Sequence, residues 1–248
     1  VRYLFPVVAP ETGKVERINP LPFADKHQFY NDTFNDNFDA NLLAPDWVFR
    51  RVPQPNTFSL NANKGHLRLY LKPEAFQPRK RYSVMGITQK ESEFEWEAKM
   101  IFKPKKNLEE AGISVYQKDI NFVNLTVQKI GKEHFVKVTV KEKNNQVTAM
   151  TDSAKIPNTE VKAFKSKALP DYAGEILLKI ASKNGKYLYF FSTDGGASYE
   201  KLAETPDNIV LGMMYTGANV GIYATSNGQK TTGHADFDWV NYKGFVKY

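Results

Sequence analysis

Residues 93–102 read Glu-Phe-Glu-Trp-Glu-Ala-Lys-Met-Ile-Phe. Phe94, Trp96, Ala98, Met100 and Phe102 alternate with Glu93, Glu95, Glu97, Lys99 and Ile101. A period of two fits a strand with one apolar face and one charged face, and does not fit a helix. The charged loop around Pro104 follows, then two more strand-like runs, Ala111–Tyr116 and Phe122–Val127, joined by a turn at Gln117-Lys118-Asp119. Three strands this close in sequence are predicted to form one sheet, and its apolar face needs a second layer to cover it. The expectation is a β-sandwich.

The rest of the chain repeats the theme. Phe58–Leu60 and His66–Leu71 flank an Asn63-Lys64-Gly65 turn and read as a hairpin, and Trp47–Val52 reads as a strand. Glu133–Lys141 and Gln146–Thr151 are expected to pair across Lys143-Asn144-Asn145, with residues 152–172 irregular. Glu175–Ala181 and Lys186–Phe191 flank Lys183-Asn184-Gly185, the strongest hairpin signal in the chain. Asn219–Ala224 and Ala235–Tyr242 supply closing strands. With no helical run and no fixed repeat, the prediction is an all-β, two-sheet antiparallel jelly roll over residues 30–248. Residues 1–29 carry Pro6, Pro10, Pro20 and Pro22. They read as an extended connector from a region lying upstream of Val1.

Composition narrows the chemistry. The aromatic share of 13% suits strands. No cysteine is present, which rules out disulfides, zinc–thiolate sites and a Cys nucleophile. No apolar run approaches the ~20 residues of a membrane-spanning helix. The net charge of +7 raises nucleic acid as a partner. The lysines are spread along the chain among acids, however, so a solvated basic surface is favoured over a nucleic-acid footprint.

Six stretches, in order, carry a resemblance: TGKVERINPLPF from residue 12, DTF from 32, SLNANKGHLRLYLKP from 59 after Trp47, EEAGISVYQKDINFVNLTV from 109, YTGANVGIYAT from 215 and HADFDWVNY from 234. Together they make the chain similar to the C-terminal concanavalin A-like domain of glycoside hydrolase family 43 enzymes, the β-xylosidase and arabinofuranosidase group. The resemblance implies that catalysis belongs to an N-terminal five-bladed propeller of the same polypeptide, which carries a general base Asp, a pKa-modulating Asp and a general acid Glu. It implies a non-catalytic sandwich that supports the propeller and shapes its pocket, acting on xylan-type or arabinose-containing plant polysaccharide. Where relatives carry an Ala-Arg-Arg-Gln-like stretch, this chain has Gly86-Ile87-Thr88-Gln89, so a contact made by those arginines is not carried over. The bacterial character of the family makes the periplasm or the cell exterior the expected location, with the cytoplasm open.

Several residues are candidates for chemistry or binding. Glu93, Glu95 and Glu97 lie about 6.5–7 Å apart along a strand, a spacing compatible with an inverting carboxylate pair. A solvent-facing row with basic cross-strand partners is the favoured alternative, since no apolar residue interrupts the row to keep one acid protonated. Asp32, Asp36, Asp236 and Asp238 fall near the first and last strands. Asp32 and Asp238 are the candidate ligands of a structural calcium ion, weighed against ordinary strand-end aspartates. The loop Lys72–Tyr82 has two prolines and four basic residues. Its Phe76 and Tyr82 are candidate sugar-stacking platforms, whereas Trp47, Trp96 and Trp239 are expected to be buried. Residues 192–199 fit an Asp box, a turn-building device. His27, His66, His134 and His234 lack metal-ligand spacing. Two further functional readings remain: a free-standing lectin-like carbohydrate-binding domain, and a jelly-roll glycosidase or lyase using the glutamate row.

Overall fold

The computed structural model describes residues 32–76, 80–141, 162–210 and 216–245. The expected connector 1–29, His27 and the expected strand 146–151 lie outside them. The described residues form fourteen strands and one short 3-10 turn at Asp207–Ile209. In chain order the strands are β1 (Thr33–Asp36), β2 (Phe58–Ser59), β3 (Leu67–Tyr70), β4 (Ser83–Thr88), β5 (Glu93–Ile101), β6 (Glu110–Lys118) and β7 (Asn121–Ile130). They continue as β8 (Glu133–Lys141), β9 (Lys162–Ala168), β10 (Glu175–Lys183), β11 (Lys186–Ser192), β12 (Glu200–Pro206), β13 (Asn219–Thr225) and β14 (His234–Phe245).

Two antiparallel sheets result. One has eight strands in the order β12-β11-β10-β5-β14-β3-β2, with β1 also paired to β14; the other has six, β4-β13-β6-β7-β8-β9. The alternation in β5 does what its period demands. Phe94, Trp96, Ala98 and Met100 are fully buried between the sheets. They meet the inward rows Ile113 and Val115, Val123 and Leu125, Ile176 and Leu178, and Val220 and Ile222 in one continuous core. Asn184 and Gly185 both have positive φ, 51° and 74°, the two-residue turn that joins β10 to β11 in register.

Four local expectations are corrected. β5 and β6 do not share a sheet: the loop after Phe102 carries the chain across, so β5 lies between β10 and β14 while β6 lies between β13 and β7. β8 pairs with β7 on one edge and on the other with β9, which comes from the stretch expected to be irregular, with Phe135 opposite Ala168. Trp47–Val52 makes only a single bridge, Val48 to Gly86. It lies among Pro45, Pro53 and Pro55, which limit ladder formation. Trp239 faces away from the core for a reason that periodicity alone does not show. Phe237 pairs with Met100 and Trp239 with Lys99, so Asp238 is an extra residue in a β-bulge. One inserted residue inverts the parity of every later side chain. Val240 and Tyr242 therefore point inward, and Trp239 is left half-buried on the outer face.

The outer face of the six-stranded sheet is also covered, although it is polar. Ser114, Asn124 and Thr126 are all buried. Buried polar groups persist when they are hydrogen-bonded. Here Ser114 donates to Asn124 Oδ1 at 2.7 Å, and Thr126 donates to Glu110 Oε1 at 2.8 Å. Glu110 Oε2 also accepts from Lys137 at 3.0 Å, Gln128 at 3.1 Å and Asn227 at 3.0 Å.

Candidate functional site

The glutamate row of β5 lies on the outer face of the eight-stranded sheet, where each acid has neighbours. Glu97 stands opposite Lys179 on β10 and Asn241 on β14, and Glu95 opposite Ala181 and Lys243. Glu93 Oε1 accepts from the Asn184 backbone N–H at 2.8 Å. The Tyr199 hydroxyl donates to Glu97, and the Lys179 ammonium lies 4.1 Å from the centre of the Tyr199 ring. Burial pushes the Glu97 carboxyl above its ordinary value, opposed by Lys179 and reinforced by Glu95. This is a cross-strand charge ladder. The three acids lie along one strand, whereas glycoside hydrolysis places two carboxyls on opposite sides of a bound sugar.

Tyr199 reaches that face through the turn before it. Ser192 donates to Asp194 Oδ1 at 2.6 Å, and Asp194 in turn accepts from the Ser198 N–H at 3.1 Å. These hydrogen bonds, led by that of Ser192, hold the Asp194 carboxyl well below the usual range. The Asp box thus builds the turn, and Tyr199 leaves it to meet Glu97 and Lys179 on the outer face of the sheet.

The four aspartates near the first and last strands are engaged separately. Asp36 accepts from Trp47 Nε1 at 2.7 Å and from the Phe38 N–H at 2.9 Å. Asp236 takes a two-pronged contact from Arg68, at 2.7 and 2.8 Å, and a third bond from Asn63 at 3.0 Å. Asp238 pairs with Lys99 at 3.0 Å, and Asp32 lies 3.9 Å from Lys90. Among the described residues no three His, Cys, Asp or Glu side chains are placed to hold a metal ion. The expected calcium site at Asp32 and Asp238 gains no further ligand there.

Phe76 and Tyr82 are not the exposed platforms that their loop position suggested. Phe76 is 1% exposed and Tyr82 8%. With Val84, Tyr116, Phe122 and Tyr223 they form a small second core on the outer face of the six-stranded sheet. Phe76 stacks on Phe122 at 4.4 Å and on Tyr223 at 4.8 Å. The loop folds back because two large rings gain more by burial than by exposure.

At the edge of this second core lies a cluster whose members are far apart along the chain. Asp119, at the β6–β7 turn, accepts from Arg51 through both terminal nitrogens at 3.1 and 2.7 Å. It also accepts from Arg50 Nε at 3.1 Å and from the Tyr82 hydroxyl at 2.5 Å. Burial raises the Asp119 carboxyl, but hydrogen bonds from Arg51 and Tyr82 and the charge of Arg50 outweigh it, so the group sits below its ordinary value. Above the cluster opens a narrow cleft with room of only about 20 Å³, with Arg50, Arg51, Lys72, Lys80, Arg81 and Tyr82 in its wall. The only local signal was the Arg50-Arg51 pair, whose partner lies 68 residues away from Arg51.

Two antiparallel sheets closed over one core define a concanavalin A-like β-sandwich. The chain belongs to the β-xylosidase C-terminal concanavalin A-like domain family, whose profile matches residues 35–243. It is 30% identical over 239 residues to a non-reducing end alpha-L-arabinofuranosidase of Bacteroides ovatus, covering 94% of this chain and 42% of that protein. It is 24% identical over 237 residues to a xylosidase/arabinosidase of Butyrivibrio fibrisolvens, covering 95% and 43%. A solved Bacteroides ovatus structure, described as GH43B of a xyloglucan utilisation locus, superposes with a TM-score of 0.76 at 26% identity, over 90% of this chain and 42% of the other. The chain thus spans about two fifths of the length of the curated relatives it matches. Among the described residues no helix is long and apolar enough to cross a membrane.

Proposed function

We propose that this chain is the non-catalytic sandwich module of a family 43 glycoside hydrolase acting on xylan-type or arabinose-containing polysaccharide. In this reading it buttresses, and helps to shape, the active site of a propeller domain supplied by the same polypeptide. The observation that carries the reading is the family match over residues 35–243, to a domain defined as the C-terminal part of β-xylosidases. The short share of each relative that the chain covers supports it, as do the bonds that tie Glu93 to Asn184 and Glu97 to Tyr199. The reading places the protein in the bacterial periplasm or outside the cell.

The test compares residues 1–248 with the product of the complete gene on nitrophenyl xyloside and nitrophenyl arabinofuranoside from acid to neutral pH. Turnover is expected only from the complete product. Hydrolysis by residues 1–248 that disappears in Glu95→Gln would overturn the reading.

One observation favours a second role for the same module. The bulge at Asp238 turns Trp239 outward on a face that also carries Tyr199, Glu97 and Asn241. An aromatic ring beside hydrogen-bonding side chains is the chemistry that grips a sugar. This face replaces Phe76 and Tyr82 as the place for neutral-sugar contact. Its test is a titration of neutral xylo-oligosaccharides into wild type and Trp239→Ala; equal binding by both would remove it.

A further inference from the structure

We infer that the cavity above Asp119 is a subsite for the carboxylate of an acidic sugar, a uronic acid residue carried on an oligosaccharide. This deepens the carbohydrate-module reading above and rests on it for the sugar, but the charge argument comes from the cavity itself. Five cationic side chains, Arg50, Arg51, Lys72, Lys80 and Arg81, enter its wall. The carboxylate beneath them, Asp119, is one group and already accepts from Arg50, Arg51 and Tyr82. The cavity therefore keeps a net positive lining.

Asp119 acts as a pin and does not neutralise the site. Its side chain is 9% exposed, while those of Arg50 and Arg51 are 33% and 30% exposed. Both guanidiniums are thus tied at one edge and open to solvent at the other. Arg51 gives both terminal nitrogens to Asp119 and keeps Nε; Arg50 gives Nε and keeps both terminal nitrogens. Among the described residues the terminal nitrogens of Arg50 have no acceptor, while Arg51 also interacts with the Tyr82 hydroxyl. A guanidinium held in place offers parallel donors that match a carboxylate, and the ordering entropy is already met by the fold. Buried Lys141 adds a further positive charge close to Asp119.

The shape favours a small ligand over a flat protein surface. Phe49, Val52 and Val84 share the wall with the cations. A cleft this narrow, with five cations converging on it, suits a single acid group whose sugar ring stays at the mouth against the apolar side chains. Neutral xylose or arabinose would leave the cations without a counter-charge, so the subsite selects for the uronate.

Isothermal titration of residues 1–248 tests this, using xylotriose bearing one glucuronic acid, neutral xylotriose, and orthophosphate as a bare anion. The acidic oligosaccharide is expected to bind at least about tenfold more tightly than the neutral one, since a charge-assisted pair is worth on the order of one decade or more. That affinity should weaken as salt is raised. Lys80→Ala/Arg81→Ala, at exposed positions that leave the Asp119 cluster intact, is expected to lose about tenfold in affinity. Arg50→Ala should lose at least as much, and circular dichroism would show whether it still folds. Equal affinity for the acidic and neutral sugars, no binding of the acidic one, or tighter binding of orthophosphate than of the glucuronate would each overturn the assignment. Hydrolysis by the complete gene product is a separate readout, so failure of the subsite and failure of the module reading are told apart.

Discussion

Trp96 on β5 donates its indole N–H to the backbone carbonyl of Gly221 on β13 at 3.0 Å, a hydrogen bond that runs from one sheet to the other through the core. β5 and β13 belong to different sheets. The bond therefore fixes how the layers sit on each other, where dispersion alone sets no direction. It also removes the cost of burying a polar N–H at a fully buried position.

Trp96→Phe should accordingly lose about 2–3 kcal/mol of stability, combining a lost buried hydrogen bond with a small cavity. Urea denaturation followed by circular dichroism measures this. A loss below about 0.5 kcal/mol, the range of ordinary surface changes, would show that the bond contributes nothing.

The three tryptophans differ in access to solvent. Trp47 is 6% exposed, bonded to Asp36, and Trp96 is fully buried; Trp239 is half-buried on an outer face. Iodide is expected to quench only part of the native fluorescence, and Trp239→Phe should abolish that part. If Trp47→Phe removes the quenchable component instead, the bulge at Asp238 is misplaced.

Asp119 gives a pH dependence whose sign follows from its lowered pKa. A carboxyl held below its unfolded value stabilises the fold above that value and loses the contribution as pH falls through the folded one. Wild type should therefore exceed Asp119→Asn in stability at neutral pH by about 2 kcal/mol, less than for a fully buried pair because water reaches both arginines. The gap should persist down to the ordinary carboxylate value of 3.8 and close below it. Denaturation midpoints from pH 7 to pH 2 for the two proteins check this, and a gap that does not change with pH would refute it.

Removal of divalent cations should leave stability unchanged. Asp36 and Asp236 are engaged by neutral or cationic donors, and Asp238 pairs with Lys99. Thermal melts with and without a chelator are expected to coincide. A drop of several degrees that calcium restores would establish an ion site at these strands.

The sequence read alone went far where structure is local. The alternation of residues 93–102 determined which side chains of β5 enter the core. The Asn184-Gly185 pair determined the β10–β11 hairpin, and Ser192 with Asp194 determined the next turn. Each depends on backbone geometry within a few residues, where side-chain parity and φ preference act directly. The ordered motifs likewise carried the family.

What the tertiary structure decided was which strand pairs with which, and what covers each face. Parity says which way a side chain points, but every strand edge offers the same N–H and C=O groups to any neighbour. Hence nothing in residues 93–127 told β5 to join β10 and β14 while β6 joined β13. A single inserted residue, Asp238, reversed the orientation expected for Trp239, because register is counted across the pair and not along one strand. Phe76 and Tyr82 looked like exposed loop aromatics until Tyr116, Phe122 and Tyr223 supplied a surface to cover. Asp119 met Arg50 and Arg51 only once folding brought the β6–β7 turn beside the proline-flanked arm. Lysines and arginines dispersed along the chain became a concentrated charge in the same way, since electrostatic energy depends on distance in space and not on separation in sequence.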